Sequence, residues 1–183
     1  MKIISTEVVS KGKFSSYNVT KFEDKNGGVR GWEWFEKKDV IAILPVTDEG
    51  KFVCIKSFRI PVQNYVIESP AGLLENVSNL DQIRQELLEE TGYQCGELVV
   101  MGIFPLNAGI TKNTVTYCIG LSAKKIDVQK LEASEDITVM ELTRDELLEL
   151  VREGKKLVDP GLLSLICLFD SMRHEKKSAS LHS

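Results

Sequence analysis

The stretch Gln85–Tyr93, QELLEETGY, places three carboxylates, Glu86, Glu89 and Glu90, close together and ends on a Thr-Gly pair. Like charges at i,i+4 destabilise a helix by a few tenths of a kcal/mol. A helix that carries them must either leave them in water or offset the repulsion. Leu80, Ile83 and Leu87 recur at i, i+3 and i+7 as an apolar stripe on the same predicted helix. At ~100° per residue, the centre of the three glutamates lies roughly a quarter-turn from that stripe, and Glu90 lies nearest to it. A purely solvated acidic face would sit opposite the core. These carboxylates border it, where partial burial is costly without a cation. Several oxygens converging on one edge suit a hard ion such as Mg²⁺. From geometry alone two readings stand, a metal site and an ordinary charged helix edge.

The surroundings of this helix are a series of strands. Ser78 and Asp81 form a capping box with Asp in place of the usual Glu, and Gly92 supplies the stop, so the helix spans about 78–91. Upstream, residues 2–22 alternate in places, with a turn at Lys11-Gly12. Asn26-Gly27-Gly28 is a second turn, leading into a strand that carries Trp32 and Trp34 on one face. These strands predict a small antiparallel unit over 1–38. DVIAILPV and KFVCIKSF flank Asp48-Glu49-Gly50 and read as a hairpin of buried strands. Further strands are expected near 97–104, 113–121 and 137–142. Thr143 with Glu146 opens a second helix, and Asp159-Pro160 a third. The main domain is expected over 39–175, with a frayed tail over 176–183. Interspersed strands and helices give an α/β or α+β class.

A length of 183 residues and 43% hydrophobic content suit one moderate domain with a small appendage. The net charge of −4 leaves no basic surplus for nucleic acid. Cys54, Cys95, Cys118 and Cys167 form no C-x-x-C pair and lie in apolar stretches, as buried reduced thiols do. The opening MKIISTEVVS turns polar too early for a signal peptide. No apolar run approaches a membrane span. These features predict a cytoplasmic protein with neither nucleic acid nor membrane as partner.

The segment SPAGLLENVSNLDQIRQELLEETGY resembles the signature box of Nudix hydrolases, and the resemblance extends from about Trp32 to Leu165. FRIPVQNYVIESPAG and FPLNAGITKNT are similar to segments flanking the box in the ADP-ribose pyrophosphatase branch. Three departures stand out. The family's arginine falls on Gln85, its first glutamate falls on Val77, and the Gly72-to-Glu86 spacing is one residue short. Losing one partner of a buried ion pair costs ~3–5 kcal/mol, whereas losing both can be nearly neutral.

The resemblance implies an α/β/α sandwich with a mixed sheet. It also implies Mg²⁺-dependent hydrolysis of a nucleoside diphosphate linked to another group, with Mn²⁺ as an alternative ion. Glu86 and Glu90 would be the principal ligands, with the Ala71 carbonyl, and Glu89 a further ligand or a base. Glu135 would be a general base, with Asp136 the adjacent fallback. Arg59 would meet phosphate, Glu68 would bind substrate or support the loop, and Trp32 and Trp34 would stack on a base. Gly109 lies where the branch has its Pro-Gly loop. The implied reaction is ADP-ribose to AMP and ribose 5-phosphate. GDP-mannose or another nucleotide sugar is the alternative substrate, and a catalytically impaired nucleotide-binding module is the alternative class. By the same resemblance the chain would form a homodimer.

Overall fold

The computed structural model describes residues 1–74 and 80–180, with side chains through 174. Ser78, one half of the expected capping box, and Val77 lie outside the described residues. In chain order the strands are β1 (Lys2–Lys11), β2 (Ser15–Glu23), β3 (Val29–Lys37), β4 (Val40–Thr47), β5 (Phe52–Arg59), β6 (Asn64–Glu68) and β7 (Ala71–Leu73). Helix α1 (Leu80–Thr91) precedes β8 (Tyr93–Gln94), β9 (Leu98–Pro105), β10 (Thr111–Lys112), β11 (Thr114–Lys125) and β12 (Ile137–Leu142). Helix α2 (Arg144–Glu153), β13 (Leu157–Val158) and helix α3 (Pro160–Ser180) follow.

Strands β1, β2 and β3 form an antiparallel meander, and β10 joins β3 in parallel to complete a four-stranded sheet. Gly27 sits at φ 81° in the β2–β3 turn, where Asp24 Oδ1 accepts from the N–H groups of Asn26 and Gly28. Every residue of β1 is exposed, including Ile3, Ile4, Val8 and Val9.

The larger mixed sheet runs β13-β6-β5-β4-β11-β8, with β12 on β5, β7 on β4 and β9 on β11. Strand β4 is buried on both faces, as its unbroken apolar run requires. Alternation divides it between two cores. Leu44 and Val46 pack with Phe52, Leu147, Leu162 and Leu165 on the side of α2 and α3. Ile41 and Ile43 pack with Ile83 and Leu87 of α1 on the other side. Helices therefore cover both faces of the sheet, the layered arrangement expected from the sequence.

Two local expectations need correction. The β4–β5 hairpin is registered only at Val46↔Phe52. Beyond the turn the strands part, β4 pairing with β11 and β7 while β5 pairs with β6 and β12. Cys54, Cys95 and Cys118 are buried, but Cys167 is exposed. It lies off the α3 face that buries Leu162, Leu165, Ile166 and Phe169. Helix α3 extends to Ser180.

The capping expectations for α2 and α3 agree with the structure. Thr143 and Glu146 make both halves of the capping box, and Asp159 Oδ1 accepts from Gly161 N and Leu162 N. No helix of the described residues is long and apolar enough to cross a membrane.

Candidate active site

Ile83 and Leu87, both fully buried, seat α1 against β4 and turn Glu90 into the interface, where it is 8% exposed. The Ala71 backbone N–H donates to the Glu90 carboxylate, but Oε2 is buried and has no hydrogen-bond partner. Burial foremost, then the charges of Glu86 and Glu135, push its pKa up to about 8. Glu86 lies over Gly72, so closely that a Cβ there would stand 2.6 Å from its Oε1. Burial, then Glu89, Glu135 and Glu132, raise the Glu86 pKa. Glu89 accepts a 2.9 Å hydrogen bond from Gln85, which occupies the position of the family's arginine. Arg84, one residue earlier, turns to the Cys95 carbonyl at 3.1 Å.

The segment after β11 folds back onto the end of α1. Gly92 adopts φ 75°, and its carbonyl accepts from Ile126 N and Asp127 N. Gln129 Nε2 donates to the carbonyls of Glu90 and Ile137, and Lys130 N donates to the Glu89 carbonyl. These tethers carry Glu135 into electrostatic range of Glu86 and Glu90. Within its turn, Glu135 accepts from Glu132 N at 2.8 Å. Asp136 is occupied differently, accepting from Tyr65 Oη at 2.5 Å.

From the opposite side β5 and β6 bring Arg59 and Glu68. Arg59 Nε donates to Glu68 Oε1 at 2.8 Å, and its charge also favours the ionised form of Glu90. Burial nevertheless raises the Glu68 pKa, outweighing Arg59. Arg59, Glu68, Ala71, Glu86, Glu90 and Glu135 thus share one locality, with Glu89 at its rim. Trp32 and Gly109 form a separate contact, with the indole N–H donating to the Gly109 carbonyl at 2.9 Å while the Trp32 residue stays 55% exposed. Trp34 instead donates to Thr20 Oγ1 at 2.8 Å and is half-buried in its own sheet.

Among the described residues, no three His, Cys, Asp or Glu side chains are drawn into a closed metal cage. The donor set is nonetheless suited to a hard divalent cation, which takes oxygen ligands, often only one or two carboxylates, and retains several waters. A buried carboxylate oxygen that lacks any donor, next to a second raised-pKa carboxylate, is a position that a cation would satisfy.

The residues missed from the sequence are Tyr65, Gln129 and Glu132. All act through the loop before β12, whose polar composition carries no periodic signal.

No family model matches the chain. The curated relatives include the ADP-ribose pyrophosphatase of Bacillus subtilis, 31% identical over 160 residues and covering 86% of each chain. The methanol dehydrogenase activator of Bacillus methanolicus is 31% identical over 162 residues, again 86% of each chain. The GDP-mannose pyrophosphatase of Escherichia coli K12 is 29% identical over 168 residues, covering 84% of this chain and 86% of its own. The solved structure of an ADP compounds hydrolase superposes with TM-score 0.77 at 15% identity, covering 96% of this chain and 95% of that one. With the layered fold and the acidic α1 edge, these likenesses identify the chain as a member of the Nudix hydrolase family, on its ADP-ribose pyrophosphatase-like branch.

Proposed function

We propose that the chain hydrolyses the pyrophosphate of ADP-ribose to AMP and ribose 5-phosphate, with Mg²⁺ or Mn²⁺ held by Glu86 and Glu90. The observation that carries this reading is the partnerless Glu90 oxygen beside Glu86. A divalent cation held there would neutralise pyrophosphate oxygens and lower the pKa of water. Arg59 offers a planar fork to a phosphate, and Glu68 orients it. Glu135 takes the proton from the water that attacks phosphorus. Its selection over Asp136 rests on its charge reaching Glu86 and Glu90, while the Asp136 carboxylate is turned to Tyr65. Trp32, with its N–H held by Gly109 and its ring open, provides a surface on which a nucleobase can stack.

The test is AMP release from ADP-ribose with Mg²⁺, with and without EDTA. EDTA-sensitive release is expected. Activity unaffected by EDTA would remove the metal assignment. Release from GDP-mannose but not from ADP-ribose would favour the second reading, which the Escherichia coli relative supports.

We further infer a cytoplasmic homodimer. The buried reduced cysteines fit a reducing compartment. Ile3, Ile4, Val8 and Val9 along β1, with Trp32 in the same sheet, give a second copy an apolar surface. Sedimentation equilibrium is expected to return twice the chain mass, and a monomer at micromolar concentration would remove the dimer.

A further inference from the structure

Asp136 is the residue next to Glu135, and its engagement with Tyr65 spans three strands. Tyr65 lies on β6 directly opposite Phe58 of β5, while β12 lies along the other edge of β5. The phenol therefore reaches over β5 to bond Asp136 Oδ2 at 2.5 Å, linking residues 71 apart in sequence. The ring that makes this reach is itself held. Phe58 meets it edge-on with centroids 5.3 Å apart, and the Lys56 ammonium lies 4.3 Å from its centroid. The backbone adds a parallel tie, Phe58 N to the Asp136 carbonyl at 3.1 Å. On its other side the segment is fixed to α1 by Gln129 and Lys130. Between these anchorages the residues from 131 to 135 are mostly exposed. Side-chain support for Glu135 thus comes from two ends, and the Tyr65–Asp136 bond is the one immediately adjoining it.

We propose that Tyr65 is a positioning residue for hydrolysis, holding Glu135 at the acidic edge of α1 by fastening Asp136 across β5. This rests on the reading of Glu135 as the proton acceptor. The phenolic O–H touches neither substrate nor cation in this assignment. Its effect passes through one neighbour, and a displacement near 1 Å at a reacting group can lower the rate ~10²-fold. The same bond couples the Arg59 strand to the Glu135 loop, because β5 carries Arg59 and lies beneath the reach of the ring.

The experiment is a kinetic double-mutant cycle on the full chain with ADP-ribose and saturating Mg²⁺. Tyr65→Phe keeps the ring, its Phe58 contact and its Lys56 contact, and removes only the hydroxyl. It is expected to lower kcat about tenfold, within that limit, and to change KM less than about twofold. Asp136→Ala, which removes the acceptor, should give the same loss. Asp136→Asn, which keeps an acceptor oxygen, should retain most of the turnover. Glu135→Gln should lower kcat by ~10²–10⁴-fold. Adding Tyr65→Phe or Asp136→Ala to Glu135→Gln should change the residual rate no further. An equal loss in both backgrounds, or wild-type kcat in Tyr65→Phe and Asp136→Ala, would overturn the positioning role and leave Glu135 as the base. Wild-type kcat in Glu135→Gln would instead overturn the base assignment, and the positioning role with it. If Tyr65→Phe fails to fold, the Asp136 variants in the two backgrounds decide by the same comparison.

Discussion

Replacing Glu90 by glutamine is expected to lower kcat/KM about 10³-fold or more, the scale on which a principal electrostatic group acts, and to stabilise the metal-free protein at alkaline pH. The second effect follows from the sign of the titration. The Glu90 pKa is raised from its ordinary 4.5 to about 8 in the folded chain. Between those values the folded state keeps a proton that the unfolded state has released. The associated stability is present below the unfolded value, declines as pH rises, and is lost as pH passes the folded value. At ~1.4 kcal/mol per pH unit, the loss is on the order of 5 kcal/mol. Glutamine stays neutral throughout. Metal-free Tm curves for wild type and Glu90→Gln should therefore diverge with rising pH, by roughly 10–20 °C at pH 9 for a chain of this size. Saturating Mg²⁺ should restore most of the gap in wild type and move the variant little. Thermal scans over pH 5–9, with and without the ion, measure all of this. Parallel curves, or a variant with wild-type turnover, would remove Glu90 from the proposed metal site.

Gly92→Ala is expected to lower stability by roughly 3 kcal/mol or more, since two penalties coincide. The backbone there is at φ 75°, and a Cβ would stand 2.2 Å from the Asp127 carbonyl oxygen. That neighbour is backbone and is already engaged, as Asp127 N and Ile126 N donate to the Gly92 carbonyl. Accommodating the methyl group means lifting the segment that carries Gln129 and Glu135 off α1, so activity should fall with stability. Gly50→Ala is the control. Its φ is 80°, but nothing lies within 4 Å of its Cβ. It should lose only about 1–2 kcal/mol, the conformational cost of the left-handed region. Urea titrations of the two variants separate the contributions, and equal losses would show that the close approach at Gly92 has no energetic weight.

Local chemistry made much of this molecule legible from its sequence. The Thr143–Glu146 box, the Asp159-Pro160 start and the Gly27 turn each depend on residues a few positions apart, and each adopts the expected geometry. The stripe Leu80, Ile83, Leu87 also located Glu90 at its border, and Glu90 is the buried carboxylate. What the sequence could not show was partner choice over distance. A turn at Asp48–Gly50 implies a hairpin, but whether β4 and β5 continue as neighbours depends on competition from β11 and β12, each supplied from more than 60 residues away. Trp32 and Gly109 were separately marked as candidates, yet their contact joins residues 77 apart. Tyr65 lies within the flanking segment FRIPVQNYVIESPAG, but nothing there singled it out. Its proposed role depends on Asp136 lying across β5 from it, which no spacing rule encodes.

The parting of β4 and β5 has a consequence for how the protein could be remodelled. Glu68 is paired in the half of the sheet that holds β5, opposite Ile55, whereas Ala71 is paired with Ala42 in the half that holds β4. Ser69 and Pro70 carry the chain across the seam. The arginine-bearing side and the glutamate-bearing side are thus separate modules stitched by two residues. Chimeras between related chains that exchange β5–β6 as a block, with junctions in the Asp48–Gly50 turn and at Ser69-Pro70, would leave the pairings of β4 with β11 and β7 intact and test one side of the β5–β12 and β6–β13 pairings. Such a library would vary the surroundings of Arg59 and Glu68 while inheriting the acidic helix edge intact.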